Sequence, residues 1–476
     1  MNWLVRSFFF WGRFPLMNPA EPDHNSPPPP TRTNPDLIYG LNDRPPLRET
    51  LFVATQHVVA VFVGMVTPPL LICNAIGMGS ADTAFLVSMS LFISGIGTLI
   101  QTNQIGRLGS GLLSIQGTSF MFVAPVVAVV RAGVASGESV PQALGSVFGI
   151  CLAGAFAALF AGVFIRRAHL VITPLVTGTV ILLIGLTLIQ VGITSAGGGY
   201  SAKHDGTFGS GENLFLAAVV VATIVALNSS RHAVLRMASV VAGLGVGYVA
   251  GFFLHRVDLG ALGRLPIIMV PRPMHYGLRF DLAFAPPFVF LYLMTVMESV
   301  GDITATSLLS NEPISGPVYM RRLQGGVMAD GFNSMLAACF NSFPCTTYAQ
   351  NNGIIQLTGV ASRYVGWVVG LMLVVLGLIP SVGGFIQGLP QAALGGATLL
   401  MFSMVAIAGI RILASVELNR RSSLILAVSL SIGLGITFDP EILASLPTVA
   451  REVLSSGISS GGMCALVLNL VLPQRR

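Results

Sequence analysis

The stretch Cys345–Gly359 reads CTTYAQNNGIIQLTG and lies between two long apolar runs of the chain. It is too short for a soluble domain and too polar for a helix facing lipid. Backbone that leaves helical geometry at membrane depth is tolerated only where protein or a water-filled cavity satisfies its N–H and C=O groups. A segment of this kind lines a path through a membrane protein, and the rest of the chain is read outward from it.

Composition agrees with that reading. Hydrophobic residues make up 53% of the 476 and charged residues 9%, with a mean hydropathy of +0.79, whereas about a quarter of a soluble domain is charged. The fold class is an all-α polytopic membrane protein. A net charge of +6 would point to nucleic acid in a soluble chain. Here the arginines cluster in short loops between apolar runs, where they set orientation, so the partners are lipid and not nucleic acid. Cys73, Cys151, Cys339, Cys345 and Cys464 show neither CxxC spacing nor histidine partners. Free buried thiols are expected, with no metal and no cofactor.

Residues 1–50 read as a disordered cytoplasmic tail, carrying SPPPPTRTNP and LNDRPPLRET, too polar and proline-rich to pack. The segment Met1–Met17 holds Arg6 and Arg13 in its aromatic run and lacks a small-residue cleavage site, so it does not read as a signal peptide. Windows near the roughly 20 residues needed to span a bilayer then fall near Phe52–Ile72, Thr83–Gln101, Leu112–Val130, Gln142–Ile165, Val171–Val191, Asn213–Leu227 and Met237–Leu254. Seven more fall near Ala285–Leu308, Gly325–Phe340, Thr346–Gly359, Tyr364–Ile379, Ala392–Leu413, Ser422–Phe438 and Val453–Leu472. Fourteen spans put both termini on one side. Most of the 25 Lys and Arg fall on that side too, which makes it cytoplasmic; Arg256, Arg264, Arg272 and Arg279, between the seventh and eighth spans, are the main exception.

Two sets of seven spans must run in opposite senses, so inverted repeats are expected. The third span opens with SIQGTSF (Ser114–Phe120), and its counterpart, the tenth, opens with TTYAQNNG. Interrupted segments at matching places in two halves point to a transport site at the repeat interface. The alternative is a pair of merely kinked helices.

Of the nineteen carboxylates, Glu298, Asp302 and Asp330 stand well within apolar sequence. An ionised group at the bilayer centre costs about 2.5–3.5 kcal/mol on insertion scales, so it usually faces a polar interior. Glu298 and Asp302 are four apart in MESVGDITATS and share a helical face. Two acids in a poorly solvated place repel until one takes up a proton, which is what a proton-coupled carrier requires. Asp330, in MADGFNS, stands close in sequence to the polar segment and could organise it. The bland alternative for all three is capping or accepting hydrogen bonds from Ser and Thr.

The one lysine, Lys203, lies in a loop, and no arginine falls deep in a span. A strongly anionic solute could then be met only by half-helix N-termini, at Phe120 and at Gln350–Asn351. Glu298, Gln350 and free backbone groups suit a planar polar solute with donors and acceptors, and a nucleobase fits. Gln116 and Ser119 belong to the matching polar run. His57, in TQHVVAVF, could bridge two helices or touch the ligand. Tyr348 and Phe120 could stack on a flat ring or simply pack.

These residues also carry a resemblance. QNNGIIQLTG (Gln350–Gly359) resembles the signature of the nucleobase/ascorbate transporter family: Gln, Glu or Pro, then Asn, any residue, Gly, four of any kind, Thr, then Arg, Lys or Gly. QGTSFMFVAP (Gln116–Pro125), ESVGDITATS (Glu298–Ser307), MADGFNS (Met328–Ser334) and LGGATLLMF (Leu394–Phe402) are similar to blocks of its bacterial xanthine and uric acid permeases. The resemblance implies that Glu298 and Gln350 hydrogen-bond a purine ring, with backbone groups offered by Phe120 and Ala349. It implies that Asp330 and Asn351 are essential without necessarily touching substrate. Asp302 stands where uracil permeases carry His, and Gln350 where they carry Glu, both pointing to an oxidised purine.

The resemblance further implies a core domain of spans one to four (51–165) and eight to eleven (284–380). A gate domain would hold spans five to seven (166–283) and twelve to fourteen (381–476). Short antiparallel strands in spans three and ten, a homodimer and an elevator-like motion come with it. Proton-coupled uptake of xanthine or uric acid is the function implied. The rivals are a uracil or other nucleobase symporter, an anion transporter of related architecture and a receptor. An intramembrane enzyme would need an HExxH, a GxSxG elbow or a Cys/His pair near Glu298, and none lies near it in the sequence.

Overall fold

The computed structural model describes residues 37–165, 173–232, 235, 238–257, 268–281, 284–314, 316–348, 350–381, 388–414, 416–446, 454 and 457–473. Besides a short helix at Gly199–His204, its helices are α1 (Leu47–Ala75), α2 (Ser80–Asn103), α3 (Val123–Ala135), α4 (Val140–Val163), α5 (Pro174–Ala196), α6 (Gly211–Asn228) and α7 (Ser239–Phe253). They continue as α8 (Ala285–Leu309), α9 (Gly316–Cys339), α10 (Gln350–Thr358), α11 (Arg363–Gly377), α12 (Gln391–Ala414), α13 (Arg420–Phe438) and α14 (Gly457–Val471). Among the described residues, α1, α2, α4, α5, α6, α8, α12 and α13 are long and apolar enough to cross a membrane. The shorter apolar helices are α7, α11, a run from Phe120 to Ala135 that includes α3, and most of α14. Of the polar helices, α9 precedes the quoted stretch and α10 lies within it.

Local sequence sets the helix starts. Ser139 and Gln142 form a reciprocal capping box on α4, and the side chains of Ser210, Ser362 and Asn419 accept from the first turns of α6, α11 and α13. Small residues set the packing. Gly178, Gly185 and Gly192 recur every seven residues along α5, and a Cβ on each would run into Leu413, Ala406 and Leu399 of α12. The two helices are thus antiparallel and close, as small-residue stripes permit within a bilayer. Gly95 of α2 meets Gly370 of α11, and Gly331 of α9 meets Leu159 of α4 in the same way.

The helical pattern breaks twice. Gln116–Thr118 (β1) and Cys345–Thr347 (β2) are strands, paired antiparallel with Gln116 opposite Thr347, Gly117 opposite Thr346 and Thr118 opposite Cys345. The pairing is extended by Ser119 N–H to Pro344 O (2.8 Å) and Tyr348 N–H to Ile115 O (3.0 Å). A 3-10 turn, Phe120–Phe122, joins β1 to α3. Beside it an aromatic core of Phe122, Phe148, Phe288, Tyr292 and Phe343 fills the space between α3, α4 and α8. The Tyr292 hydroxyl is satisfied there by Cys151 O at 2.9 Å.

The expected tail ran to residue 50, and its end is ordered. Tyr39 forms a parallel bridge with Val360, Ala361 N–H donates to Tyr39 O at 2.9 Å and Arg363 N–H to Leu41 O at 3.1 Å. The chain ahead of α1 therefore docks on the link between α10 and α11. Backbone donors there find partners that a proline-rich composition does not announce. Residues 1–36, which hold most of the expected tail, lie outside the described residues.

Two of the arginines that broke the charge rule have local partners. Arg256 pairs with Glu212 at 2.5 Å and Arg279 with Glu138 at 2.8 Å; Arg264 lies outside the described residues. Residues 268–281 run over the ends of helices, with Met274 N–H on Cys339 O (2.7 Å) and Arg279 N–H on Gly145 O (2.9 Å). Tyr276 donates to Asp82 at 3.1 Å. Burial, with the Asp82 carboxylate beside it, raises that hydroxyl above its ordinary range, so it remains a donor. All five cysteines are free.

Candidate substrate site

The strand pair positions the site because its side chains reach α8 and α9 on either side. Thr346 Oγ1 donates to Glu298 Oε2 at 3.2 Å, and the next residue, Thr347, donates through Oγ1 to Asp302 Oδ2 at 3.1 Å. Ser334 of α9 brackets the start of β2, accepting from Cys345 N–H at 3.0 Å and donating to Cys345 O at 3.2 Å. One turn of α8 and three residues of β2 thus hold both acids of the MESVGDITATS pair in fixed places.

Asp330 is held differently. Its Oδ1 accepts from Gln116 Nε2 at 2.6 Å and, more weakly, from Gln101 Nε2 at 3.5 Å, and its Oδ2 accepts from the Ser299 hydroxyl. Both carboxylate oxygens are engaged, and the residue is 3% exposed. Gln116 also receives structure from below, its own N–H donating to Thr98 Oγ1 at 3.0 Å. Asp330 therefore ties β1, α2, α8 and α9 together.

Exposure divides the sequence-chosen residues into two groups. Gln350 is exposed, and Glu298, Asp302 and Phe120 are half-buried, whereas Gln116, Ser119, Asp330, Tyr348, Asn351 and His57 are buried. Asn351 Nδ2 donates to Leu113 O at 2.5 Å, locking α10 to the segment before β1. Asn352 accepts from Thr306 Oγ1 at 2.6 Å, locking α10 to α8. Gln350, at the first position of α10, is exposed and its carboxamide is left open.

The Tyr348 ring is packed. A Cβ on Gly117 would lie 2.8 Å from its Cζ, and one on Gly64 2.7 Å from its Cε1. Its hydroxyl donates to Thr118 O at 2.7 Å. The ring fills a slot between two glycines and braces β1 from behind. Phe120 does present its ring, edge-on to Phe402 of α12 with centroids 5.4 Å apart and planes at 88°. Ser119 caps the 3-10 turn, its hydroxyl accepting from Met121 N–H at 3.3 Å. His57 forms no interhelical bridge among the described residues, where neither ring nitrogen meets a partner. Ala349 lies outside the described residues.

Every described partner of the three acids is a hydroxyl or a carboxamide, and no lysine or arginine is among them. Groups of His, Cys, Asp and Glu fit to hold a metal ion are absent among the described residues. Sequence reasoning passed over Thr346, Thr347, Ser299, Gln101 and Phe402. The two threonines stand inside the quoted stretch, yet no spacing rule links a strand hydroxyl to acids 48 and 45 residues earlier.

Residues 48–442 match the family model Xan_ur_permease, described as "Permease family". The chain is 48% identical over 461 residues to "Xanthine permease XanP" of Escherichia coli strain K12, an alignment covering 95% of this chain and 98% of the relative. It is 46% identical over 438 residues to "Xanthine permease XanQ" of the same strain, covering 92% and 94%. Among solved structures it is similar to the transmembrane domain of a cyanobacterium bicarbonate transporter, BicA, with a TM-score of 0.55 at 15% identity, covering 84% of this chain and 97% of that one. At that identity the likeness is one of fold. The chain is a multi-pass membrane transporter that belongs to this permease family, the nucleobase/ascorbate transporters whose motifs its own resemble.

Proposed function

We propose that this permease takes up an oxidised purine, with xanthine the first candidate and uric acid the second, together with protons across the cytoplasmic membrane. The observation that carries the reading is the division of the polar groups at the strand crossing. Glu298 and Gln350 are open to a ligand and supply an acceptor and a carboxamide, while Asp330 and Asn351 are consumed by the framework. A neutral planar ring with N–H and C=O edges satisfies the open pair without needing a buried cation. The similarity to the two xanthine permeases supports xanthine.

Proton coupling rests on Glu298 and Asp302. Each has one described hydrogen-bond donor, on one oxygen, so each retains an oxygen for a proton or a ligand. Protonation removes the cost of a buried charge, and substrate then favours the occluded arrangement.

The architecture in this reading is fourteen spans, α1 to α14, in two inverted repeats of seven, with both termini cytoplasmic. Packing supports it. Exchanging each helix for the one seven further on turns the antiparallel α2–α11 contact into α9–α4, which is also made and also antiparallel, and maps α5–α12 and β1–β2 onto themselves. Core (51–165 and 284–380) and gate (166–283 and 381–476) would then slide past each other, with Phe120 against Phe402 on the boundary. A homodimer would hold the gates still.

An anion transporter is the second reading, favoured by the fold shared with BicA. The lack of a described cation at the acids speaks against it. Uptake of labelled xanthine, competed with unlabelled urate, hypoxanthine and uracil in cells lacking their own carriers, tests the choice. Competition by oxidised purines alone is expected; uptake of bicarbonate or chloride in its place would favour the rival.

A further inference from the structure

Two adjacent residues of β2 each contact one acid of the α8 pair. We propose that Thr346 and Thr347 are positioning residues for transport, with Thr346 setting the carboxyl of Glu298 for substrate and proton and Thr347 setting that of Asp302 for the proton. The proposal rests on the reading of Glu298 as the proton and substrate group.

The geometry is specific. Thr346 is 4% and Thr347 1% exposed, so neither hydroxyl has water as an easy substitute partner. Their backbone is fixed by pairing with Gly117 and Gln116 and by Ser334 at Cys345. The hydroxyls are therefore held on a rigid strand, and their contacts at 3.2 and 3.1 Å fix one oxygen of each acid. In Glu298 that oxygen is Oε2, leaving Oε1 for the ligand.

A hydroxyl suits a group that gains and loses a proton. It donates to the ionised carboxylate, and by rotating about Cβ–Oγ it can accept from the protonated acid. Neither state then leaves a buried polar group unmade, and the strand need not move between them. A lysine in the same place, a donor alone, would favour the ionised state and hold the acid there. Asp330 is the contrast within this site, with donors on both oxygens, the Gln116 carboxamide on Oδ1 and the Ser299 hydroxyl on Oδ2.

The same strand links the two acids. Any shift of β2 that lengthens one contact changes the other, because the two threonines are consecutive. The protonation of Glu298 and of Asp302 is thereby coupled through backbone.

Substrate uptake across a pH series tests this, with Thr346→Val and Thr346→Ser, and Thr347→Val and Thr347→Ser, each matched for protein in the membrane. Thr346→Val loses a hydrogen bond that favours the ionised form, so its uptake persists to higher pH than wild type, and its KM for xanthine rises roughly tenfold. Thr347→Val changes the pH profile with KM within about threefold. Both serine variants, which keep the hydroxyl, restore the wild-type profile. A wild-type pH profile in both valine variants overturns the proposal. So does a serine variant that behaves like its valine partner, because the effect would then be one of packing. Glu298→Gln, run alongside, separates the two levels: if it transports with an unchanged pH profile, the reading of Glu298 fails first; if it loses pH dependence while the valine variants do not differ from wild type, only the threonine proposal fails.

Discussion

Gln116 on β1 and Asp330 on α9 are 214 residues apart in the chain and 2.6 Å apart in space. This contact joins the first interrupted segment to a helix of the other half of the protein. Removing the donor leaves a buried carboxylate short of a partner, at a cost of about 1.5–3 kcal/mol. Gln116→Leu is expected to lower uptake at least tenfold, and Gln116→Glu, which sets two acids side by side, to lower it further. Uptake assays normalised to membrane protein check this, and wild-type rates in Gln116→Leu would contradict it.

The slot around Tyr348 gives a second expectation. Gly117→Ala puts a Cβ into the ring and Met65, and overpacking of this kind costs about 1–3 kcal/mol. Tyr348→Phe loses only the hydrogen bond to Thr118 O, about 1 kcal/mol. Thermal unfolding of purified protein in detergent should rank Gly117→Ala below Tyr348→Phe. Substrate preference in Tyr348→Phe should match wild type, because the ring packs behind the strands; a changed preference would place the ring against the ligand.

Arg279 and Glu138 form an ion pair in which both side chains remain partly exposed, at 52% and 30%. Pairs of this kind contribute about 0–1 kcal/mol. Arg279→Ala is expected to keep uptake within about twofold of wild type and to change the unfolding midpoint little. A loss of uptake would mean that the segment 268–281 depends on this charge more than on its backbone bonds to Gly145 and Cys339.

The link between α10 and α11 supplies a fourth test. Ala361→Pro deletes the N–H that donates to Tyr39 O, and a lost backbone hydrogen bond of this kind costs about 1 kcal/mol. Less protein should survive extraction in detergent, with KM for substrate near wild type. Equal recovery of variant and wild type would show that the docked segment 37–44 adds nothing to stability.

Much of this was legible in the residues. Apolar run lengths located the helices because a bilayer fixes how long a span must be, and CTTYAQNNG was visible as a break because no lipid-facing helix carries that text. Glu298, Asp302 and Asp330 stood out because buried charge is costly. The division of labour among them was not legible. Which acid is saturated depends on Gln116 and Gln101 arriving from elsewhere in the chain, and on β1 meeting β2 in one register. Tyr348 could be placed behind the strands only once Gly64 was seen against its Cε1 and Gly117 against its Cε2. Short contacts among non-consecutive segments leave no period in the sequence. The docking of Tyr39 on Val360 is invisible for the same reason, since it uses backbone and no diagnostic side chain.

The central claim is that Glu298 couples proton and purine. Uptake of labelled xanthine by wild type and by Glu298→Gln, with and without an uncoupler, across pH, tests it most directly. Wild type should accumulate xanthine against a gradient that the uncoupler abolishes, and Glu298→Gln should lose accumulation at every pH. Accumulation by Glu298→Gln with the wild-type pH profile and uncoupler sensitivity would contradict the account.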